Sequence, residues 1–331
     1  MVTKFADQLT EGYYKVAKLI NDKASLLTKL NYLNLLLQFS KLEQIFLTGD
    51  IQQPPPYSGS LPESVKQIEH NSCLENLISR KATISINLRY SYRSYPTLTN
   101  IISTVLYDSE LEAALSNQDR KMWKSLGFPE LYDSTPVLFL DIPGQECKTL
   151  LRSWTNEQKN ETALLIAQKL QTRLPGKLTT LCYYSSALRD LKICEPSLWY
   201  HTVDFYMGKE TDVVLLLTTR SNAQLTEEAR KFLFDKNWLT VALTRAKEGF
   251  IILGNQRVLK RSSLWSNLLF ELFKRIQIVS FDEFVDYLNR YCFFSFLLLL
   301  LLLACSFLFF GPRECRWLHW YWQGYDKVVN L

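Results

Sequence analysis

Two runs in the second half of the chain, DVVLLLTT at 212–219 and GFIILGN at 249–255, limit the choice of fold more than any other feature. Each is a short, apolar, β-branched-rich segment without the in-out alternation of a strand that has one wet face. Strands of that kind are buried on both faces, which is the pattern of a parallel sheet covered by helices. The segments around them have the required alternation. TPVLFLDI (135–142) and KLTTLCYY (177–184) are strand-like, ETALLIAQKLQTRL (161–174) has helical spacing, WLTVALTRAKE (238–248) is predicted as helix, and SLWSNLLFELFKRI (263–276) as helix again. Strand and helix in turn predict an α/β open sheet.

This pattern is complete over residues 82–280 and incomplete before them. Residues 11–48 are predicted as helix, break, helix and then the strand QIFLTGD; QQPPPYSGSLP (52–62) interrupts any regular structure, because proline lacks a donor and glycine loosens the backbone. ATISINLRYSYRSYPTL (82–98) opens with a strand-like stretch that leads into a helical run over 97–106. The organisation expected is therefore a partial α/β domain over 1–80, a full one over 82–280, a hydrophobic segment over 291–310 and an aromatic tail over 311–331.

The segment 291–310, YCFFSFLLLLLLLACSFLFF, holds twenty uncharged residues between Arg290 and Arg313. At about 1.5 Å rise per residue that length just crosses a bilayer, and seven consecutive leucines give no amphipathic face. A membrane-spanning or membrane-inserted helix is the expectation, with a buried helix as the alternative; the flanking charges are too balanced to orient it. The N-terminus has no basic run before an apolar core, so it does not read as a signal peptide. Seven cysteines without paired spacing and only three histidines argue against a structural zinc site and for a reducing compartment. A net charge of +5 is compatible with nucleic acid or anionic membrane and decides neither.

Several polar residues stand where an α/β sheet presents its ligand edge. In QIFLTGDIQQ, Asp50 follows the strand and is placed to orient a water or a metal, with Gln53 in reach of a phosphate; a strand ending in Gly-Asp is also an ordinary junction. In HTVDFYMGKETDVVLLL, Gly208 permits close backbone approach and Glu210 can accept from a ribose, or the segment is a solvated turn. Arg93 lies among aromatics just before Pro96. Arg245, in a packed apolar stretch, carries a permanent charge and a fork that matches phosphate oxygens, or it pairs with a carboxylate such as Asp204 or Asp212.

Taken in order, GDIQQPPP, YRSYP, TVDFYMGKETDVV and WLTVALTRAKEGFIILGN resemble the motor half of superfamily-1 helicases of the nonsense-mediated-decay and nuclease-helicase type, whose patterns run GDxxQLPP, QYRMHP, TVDxFQGxExDVV and RRLNVALTRAR. The resemblance covers roughly residues 15–275. It implies two RecA-like domains with ATP and Mg2+ between them and single-stranded RNA or DNA across the top, in the cytoplasm or nucleus. Carried over, Asp50 and Gln53 sense the terminal phosphate from the first domain, Arg93 and Arg245 reach it from the second, and Glu210 holds the ribose or couples nucleotide to strand. Gly208 and Thr202 line the same segment; Ser185, Ser186 and Tyr183 or Tyr184 grip the strand. INDKASLLTKL at 20–30 is similar to the family's IDEASQLTE, which makes Asp22 the magnesium carboxylate.

The departures are as specific. No GxxxxGK[ST] occurs in the sequence. Lys23 stands where the family has its catalytic glutamate, Met207 and Ser91 where it has glutamines, Asn237-Trp238 where it has two arginines, and Ala187 where a glutamine often ends the fourth motif. The chain on its own is therefore expected to bind ATP poorly and not turn it over. Three readings follow: part of an ATP-driven helicase completed by a phosphate-loop half, a non-hydrolysing nucleic-acid-binding or scaffold module, and a membrane-tethered adaptor. An incomplete first domain also leaves an open sheet edge, which favours either aggregation or a partner chain that covers it.

Overall fold

A computed structural model describes residues 17–39, 41–56, 62, 64–65, 72–116, 137–172, 174, 177–274, 278–280 and 284. Nearly all of them belong to the first of two compact units, Met1–Ser280; the second, Phe281–Leu331, contributes only Phe284. In chain order the elements are β1 (Lys18–Asn21), a 3-10 turn (Ala24–Leu26), α1 (Lys29–Gln38), β2 (Gln44–Leu47), α2 (Cys73–Ser79), β3 (Tyr90–Ser91), α3 (Pro96–Leu106) and β4 (Glu112–Ala113). They continue with β5 (Val137–Asp141), β6 (Glu146–Lys148), β7 (Trp154–Asn156), α4 (Glu157–Gln171), β8 (Leu178–Cys182), α5 (Ser185–Cys194) and β9 (Tyr200–Thr202). A 3-10 turn (Asp204–Tyr206) leads to β10 (Thr211–Leu217), α6 (Glu227–Leu233), α7 (Lys236–Leu243), β11 (Ala246–Gly254), α8 (Gln256–Leu259), α9 (Ser263–Phe273) and β12 (Ile278–Ser280).

The apolar strands do form one sheet. Six strands lie in the order β12-β5-β11-β10-β8-β9, every adjacent pair parallel. Successive residues point to opposite faces, and both faces are covered. Val137, Phe139, Leu181, Val214, Leu216, Phe250 and Ile252 share a buried cluster with Leu98, Ile101 and Ile102 of α3, Leu239 and Val241 of α7, and Trp265 and Leu268 of α9. On the opposite face the fully buried Leu138, Leu215, Leu217 and Ile251 lie under α4, whose Ala163, Ile166, Ala167 and Leu170 are its buried stripe. Each such Leu, Ile or Phe contributes roughly 1.5–3 kcal/mol on burial. Local signals set the helix starts: Pro96 at the first position of α3, Asn156 capping α4, and Asp235 accepting from the amides of Asn237 and Trp238 at α7.

Before this sheet, β1 and β2 pair in parallel with Lys18 opposite Gln44 and Asn21 opposite Leu47. Leu27, Leu35 and Cys73 form a small cluster with Leu19 and Leu47 packed on it. The other faces of these strands are open: Ile20 is 73% exposed and Phe46, its register partner, 51%.

Three expectations are corrected. KLIN lies in the stretch expected as helix, break and helix, and is β1, a strand paired in parallel with β2. Residues 84–89 form no strand; Ile84, Ile86 and Leu88 are exposed, so their alternation has no sheet to join. Helix α7 stops at Leu243, so Arg245 lies in the turn after it, and Ala246, Lys247 and Glu248 begin β11. The segment 291–310 lies outside the described residues; among those described, no helix is long and apolar enough to cross a membrane.

Candidate functional site

The turn after β2 is held by its own side chains. A Cβ on Gly49 would come within 2.9 Å of both the Leu74 Cδ2 and the Ser25 amide nitrogen, so glycine lets the turn pack against α2. Asp50 then folds back: its Oδ1 accepts from the Gln52 amide at 2.9 Å and its Oδ2 from Gln53 Nε2 at 3.1 Å. The same Oδ2 accepts from the Tyr107 hydroxyl at 2.6 Å. Tyr107 follows α3, so this one bond joins the β1–β2 region to the large sheet region. Burial first, and then the Asp50 charge, push the Tyr107 hydroxyl far above its ordinary range, while the Arg245 and Arg93 charges act in the opposite direction.

The two arginines are set by a clip between segments far apart in sequence. The Tyr95 amide donates to the Lys247 carbonyl at 2.7 Å and the Ser94 hydroxyl to the Ala246 carbonyl at 2.7 Å. That fixes Arg93 beside the turn before β11. Its Nε meets Glu210 Oε2 at 2.9 Å and its Nη1 donates to the Thr244 carbonyl at 3.1 Å. Lys247 Nζ takes the other Glu210 oxygen at 2.6 Å. Glu210 is held below the usual carboxylate range, by the Lys247 hydrogen bond most of all and by the Arg93 charge further.

Arg245 pairs with neither Asp204 nor Asp212. Its Nε donates to the Val241 carbonyl at 2.9 Å, Nη1 to the Lys209 carbonyl at 3.2 Å and Nη2 to the Thr244 hydroxyl at 2.7 Å, and the residue is 2% exposed. Burial, and after it the nearby Arg93 charge, bring its guanidinium down to about 10. Asp212 lies 4.0 Å from Lys177.

Asp22 and Lys23 lie at the end of β1. Asp22 Oδ1 accepts from the Thr48 hydroxyl at 3.0 Å and from the Lys23 amide at 2.8 Å. Lys23 has a left-handed backbone, φ 56°, and its side chain reaches the Gly208 backbone: a Cβ on Gly208 would lie 2.6 Å from Lys23 Nζ. Gly208 itself has φ +76°, so glycine is needed there for conformation as well as space. Mg2+ wants near-octahedral oxygen ligands and dehydrates reluctantly. One carboxylate, engaged by two donors, does not fit that requirement, and among the described residues no group of three or more His, Cys, Asp or Glu is placed to hold a metal ion.

The structure thus brings Asp50 and Gln53 onto Tyr107, Arg93 onto Glu210, and Lys23 onto Gly208, with Arg245 beneath. Thr202 ends β9, where it pairs with Cys182. Of the expected strand-gripping residues, Ser185 donates to the Ser153 hydroxyl at 3.2 Å and Ser186 shares a 2.7 Å bond with Thr149. Tyr183 is buried with its ring edge-on to Phe232, so it is core rather than a stacking surface.

Sequence reasoning missed Tyr107, which carries no motif, and Lys247, which stands two residues after Arg245 in the TRAKE run. It also missed a second cluster on TTRSN at 218–222. Arg220 is 1% exposed, pairs with Glu146 at 2.8 Å and stacks 3.9 Å from the Trp154 ring centre. Glu146 also accepts from the Ser221 amide and, at 3.0 Å, the Asn222 amide. The fully buried Lys159 donates to the Arg220 carbonyl at 2.8 Å, and burial lowers its amine to about 7. The signal available was an arginine three residues beyond the apolar run that ends β10.

An all-parallel sheet with helices on both faces makes this an α/β protein consistent with the RecA-like helicase fold. The AAA domain family profile matches residues 70–257, more than half of the chain. The chain belongs to that family, among superfamily-1 helicases of the nonsense-mediated-decay type. It is 29% identical over 248 residues to regulator of nonsense transcripts 1 of Dictyostelium discoideum, a match covering 69% of this chain and 18% of that protein. It is 28% identical over 246 residues to the ATP-dependent helicase NAM7 of Saccharomyces cerevisiae, covering 69% of this chain and 24% of the relative. The chain therefore spans about a fifth of the length of the curated relatives it matches. Among solved structures, the PRRSV helicase aligns over 77% of this chain and 38% of its own, at 16% identity and a TM-score of 0.41.

Proposed function

We propose that this chain forms the terminal-phosphate side of an ATP-dependent helicase motor acting on single-stranded RNA or DNA. Residues 1–80 would belong to the first motor domain and 82–280 to the second. The observation that carries this reading is the convergence of Asp50 and Gln53 with Tyr107, Arg93, Glu210 and Arg245, from segments up to about two hundred residues apart, in the order and spacing of the family's motifs. ATP supplies the phosphoryl group whose transfer to water drives the motor. Asp50 holds Gln53 in position, so that its amide can answer the presence or absence of a terminal phosphate. Arg93, held by Glu210 and the Thr244 carbonyl, brings a permanent positive charge to the phosphate side. Arg245 is tied to three backbone or hydroxyl acceptors and acts as a fixed positive charge behind the site. Glu210, shared between Arg93 and Lys247, links that charge to the segment leading back to Thr202, which, with Ser185 and Ser186, lies toward the strand-binding side.

Lys23 favours a second reading for this chain taken alone: binding without hydrolysis. A charged lysine at the place of a general base has no lone pair to take a proton from water. Both readings are tested by fluorescence anisotropy of labelled single-stranded RNA and DNA oligonucleotides, with and without AMP-PNP. The proposal expects oligonucleotide affinity that shifts with nucleotide, with the shift abolished in Arg93→Ala while binding itself persists. Coupling without phosphate release from ATP selects the non-hydrolysing form. No oligonucleotide binding, or binding indifferent to nucleotide and to Arg93, overturns the reading.

A further inference from the structure

The four residues Met207–Glu210 gather positive charge from three other parts of the chain. Lys23 places its ammonium on Gly208, so close that a Cβ there would be 2.6 Å from Nζ and 3.2 Å from Cε. Arg93 and Lys247 take the two oxygens of Glu210 at 2.9 and 2.6 Å. Arg245 donates to the Lys209 carbonyl at 3.2 Å. Lys209 turns its own ammonium away, 4.6 Å from the Phe205 ring centre. Against these four converging cations the segment supplies one carboxylate, Glu210. Asp50, which accepts from Tyr107 and Gln53, adds a negative charge that reaches Arg245, and Asp22 accepts from Thr48 and the Lys23 amide, so four cations face three carboxylates. Like charges held this close are destabilising unless an anion joins them.

Lys23 gives the arrangement its particular character. Its left-handed backbone turns the side chain out of the β1 end, and Gly208 leaves the space that receives it. An ammonium has three donors and one charge, carried on a flexible stem. At this position it supplies on a tether part of the positive charge that a bound divalent ion supplies by coordination.

We propose that Lys23 serves as a built-in replacement for the metal ion, so that the cleft takes the terminal phosphate of a nucleoside di- or triphosphate, or of inorganic tripolyphosphate, without a divalent cation. This rests on the reading of the cleft as a nucleotide site given above. On binding, the Lys23 ammonium leaves the Gly208 backbone for phosphate oxygens, with the Arg93 charge beside it.

The test is isothermal titration of the full chain with ADP, AMP-PNP and tripolyphosphate, in EDTA and again in excess MgCl2. The expected result is equal or tighter binding in EDTA. Lys23→Ala should weaken it about tenfold or more, the scale of one lost hydrogen bond to a charged group, and Lys23→Arg should restore most of it. Circular dichroism confirms that each variant is folded, and Lys23→Arg keeps the test decisive if Lys23→Ala is not. Binding that requires Mg2+, or is unchanged in Lys23→Ala, overturns the metal replacement and leaves the nucleotide site standing. No binding of any of the three probes in either buffer removes both.

Discussion

Replacing Glu146 by Gln isolates the most deeply buried charge pair among the described residues. The Arg220 and Glu146 side chains are 2% and 6% exposed, and the guanidinium is sandwiched between the carboxylate and the Trp154 ring. Two of its nitrogens, Nε and Nη1, already lack a hydrogen-bond partner. Glutamine keeps the shape of glutamate but brings an NH2 group. Whichever way the amide turns, that group faces either Arg220 Nη2 or the Ser221 and Asn222 amides, donor against donor. The charge of Arg220 is then uncompensated in a site water does not reach. Breaking one partner of such a pair costs about 3–5 kcal/mol, against about 0–1 kcal/mol for an exposed pair. With about 2–4 °C per kcal/mol for a domain of 150–250 residues, Glu146→Gln should lower Tm by roughly 6–20 °C. Thermal unfolding followed by far-UV circular dichroism reads this directly. Lys177→Ala is the control, since Lys177 is half exposed and 4.0 Å from Asp212, and should shift Tm by about 4 °C or less. A Glu146→Gln variant within about 1 kcal/mol of the parent would refute the argument and mean that water reaches Arg220.

Three further outcomes follow from the same geometry. Lys159 has a folded-state value near 7 against the ordinary 10.5, so the unfolded chain binds the extra proton between those values and stability should rise with pH above 7. The slope is at most about 1.4 kcal/mol per pH unit; above about pH 9 the buried Cys182 and Tyr183, both pushed up by burial, act in the opposite sense. Urea titrations at pH 7, 8 and 9 should show the rise, and Lys159→Met should flatten it. Tyr107→Phe removes one hydrogen bond to the Asp50 carboxylate and should cost about 1.5 kcal/mol in urea unfolding, the low end for a charged acceptor, because Gln52 and Gln53 still serve it; no loss would mean the two regions are not joined there. Gly208→Ala should cost about 1–2 kcal/mol because φ is +76°, and an unchanged midpoint would show that the turn relaxes.

The sheet was legible because its strands are apolar on both faces, a pattern that needs no knowledge of partners. The ends of elements were less so. In WLTVALTRAKE the helical spacing of apolar residues carries on to Ala246, and nothing in that pattern marks Leu243 as the last helical residue; the Tyr95 and Ser94 bonds to the Lys247 and Ala246 carbonyls, which secure the start of β11, come from about 150 residues away. In the same way ISI at 84–86 has the alternation of a strand but no neighbour to pair with, and KLIN is a strand because β2 lies beside it. At the site, Asp50, Arg93, Glu210 and Arg245 were found through motif order. Tyr107 was not, since its role depends on where α3 ends in space. The placement of Lys23 on Gly208 is likewise a property of the fold: the sequence shows an unexpected lysine, and only the structure shows what it touches.

The most direct test of the central claim is hydrogen–deuterium exchange of the full chain with and without AMP-PNP. One nucleotide cleft built from both regions predicts slowed exchange in the same titration at 48–53, 93–96, 207–211 and 244–247. Protection confined to one of these segments, or absent from all of them at saturating nucleotide, would contradict it.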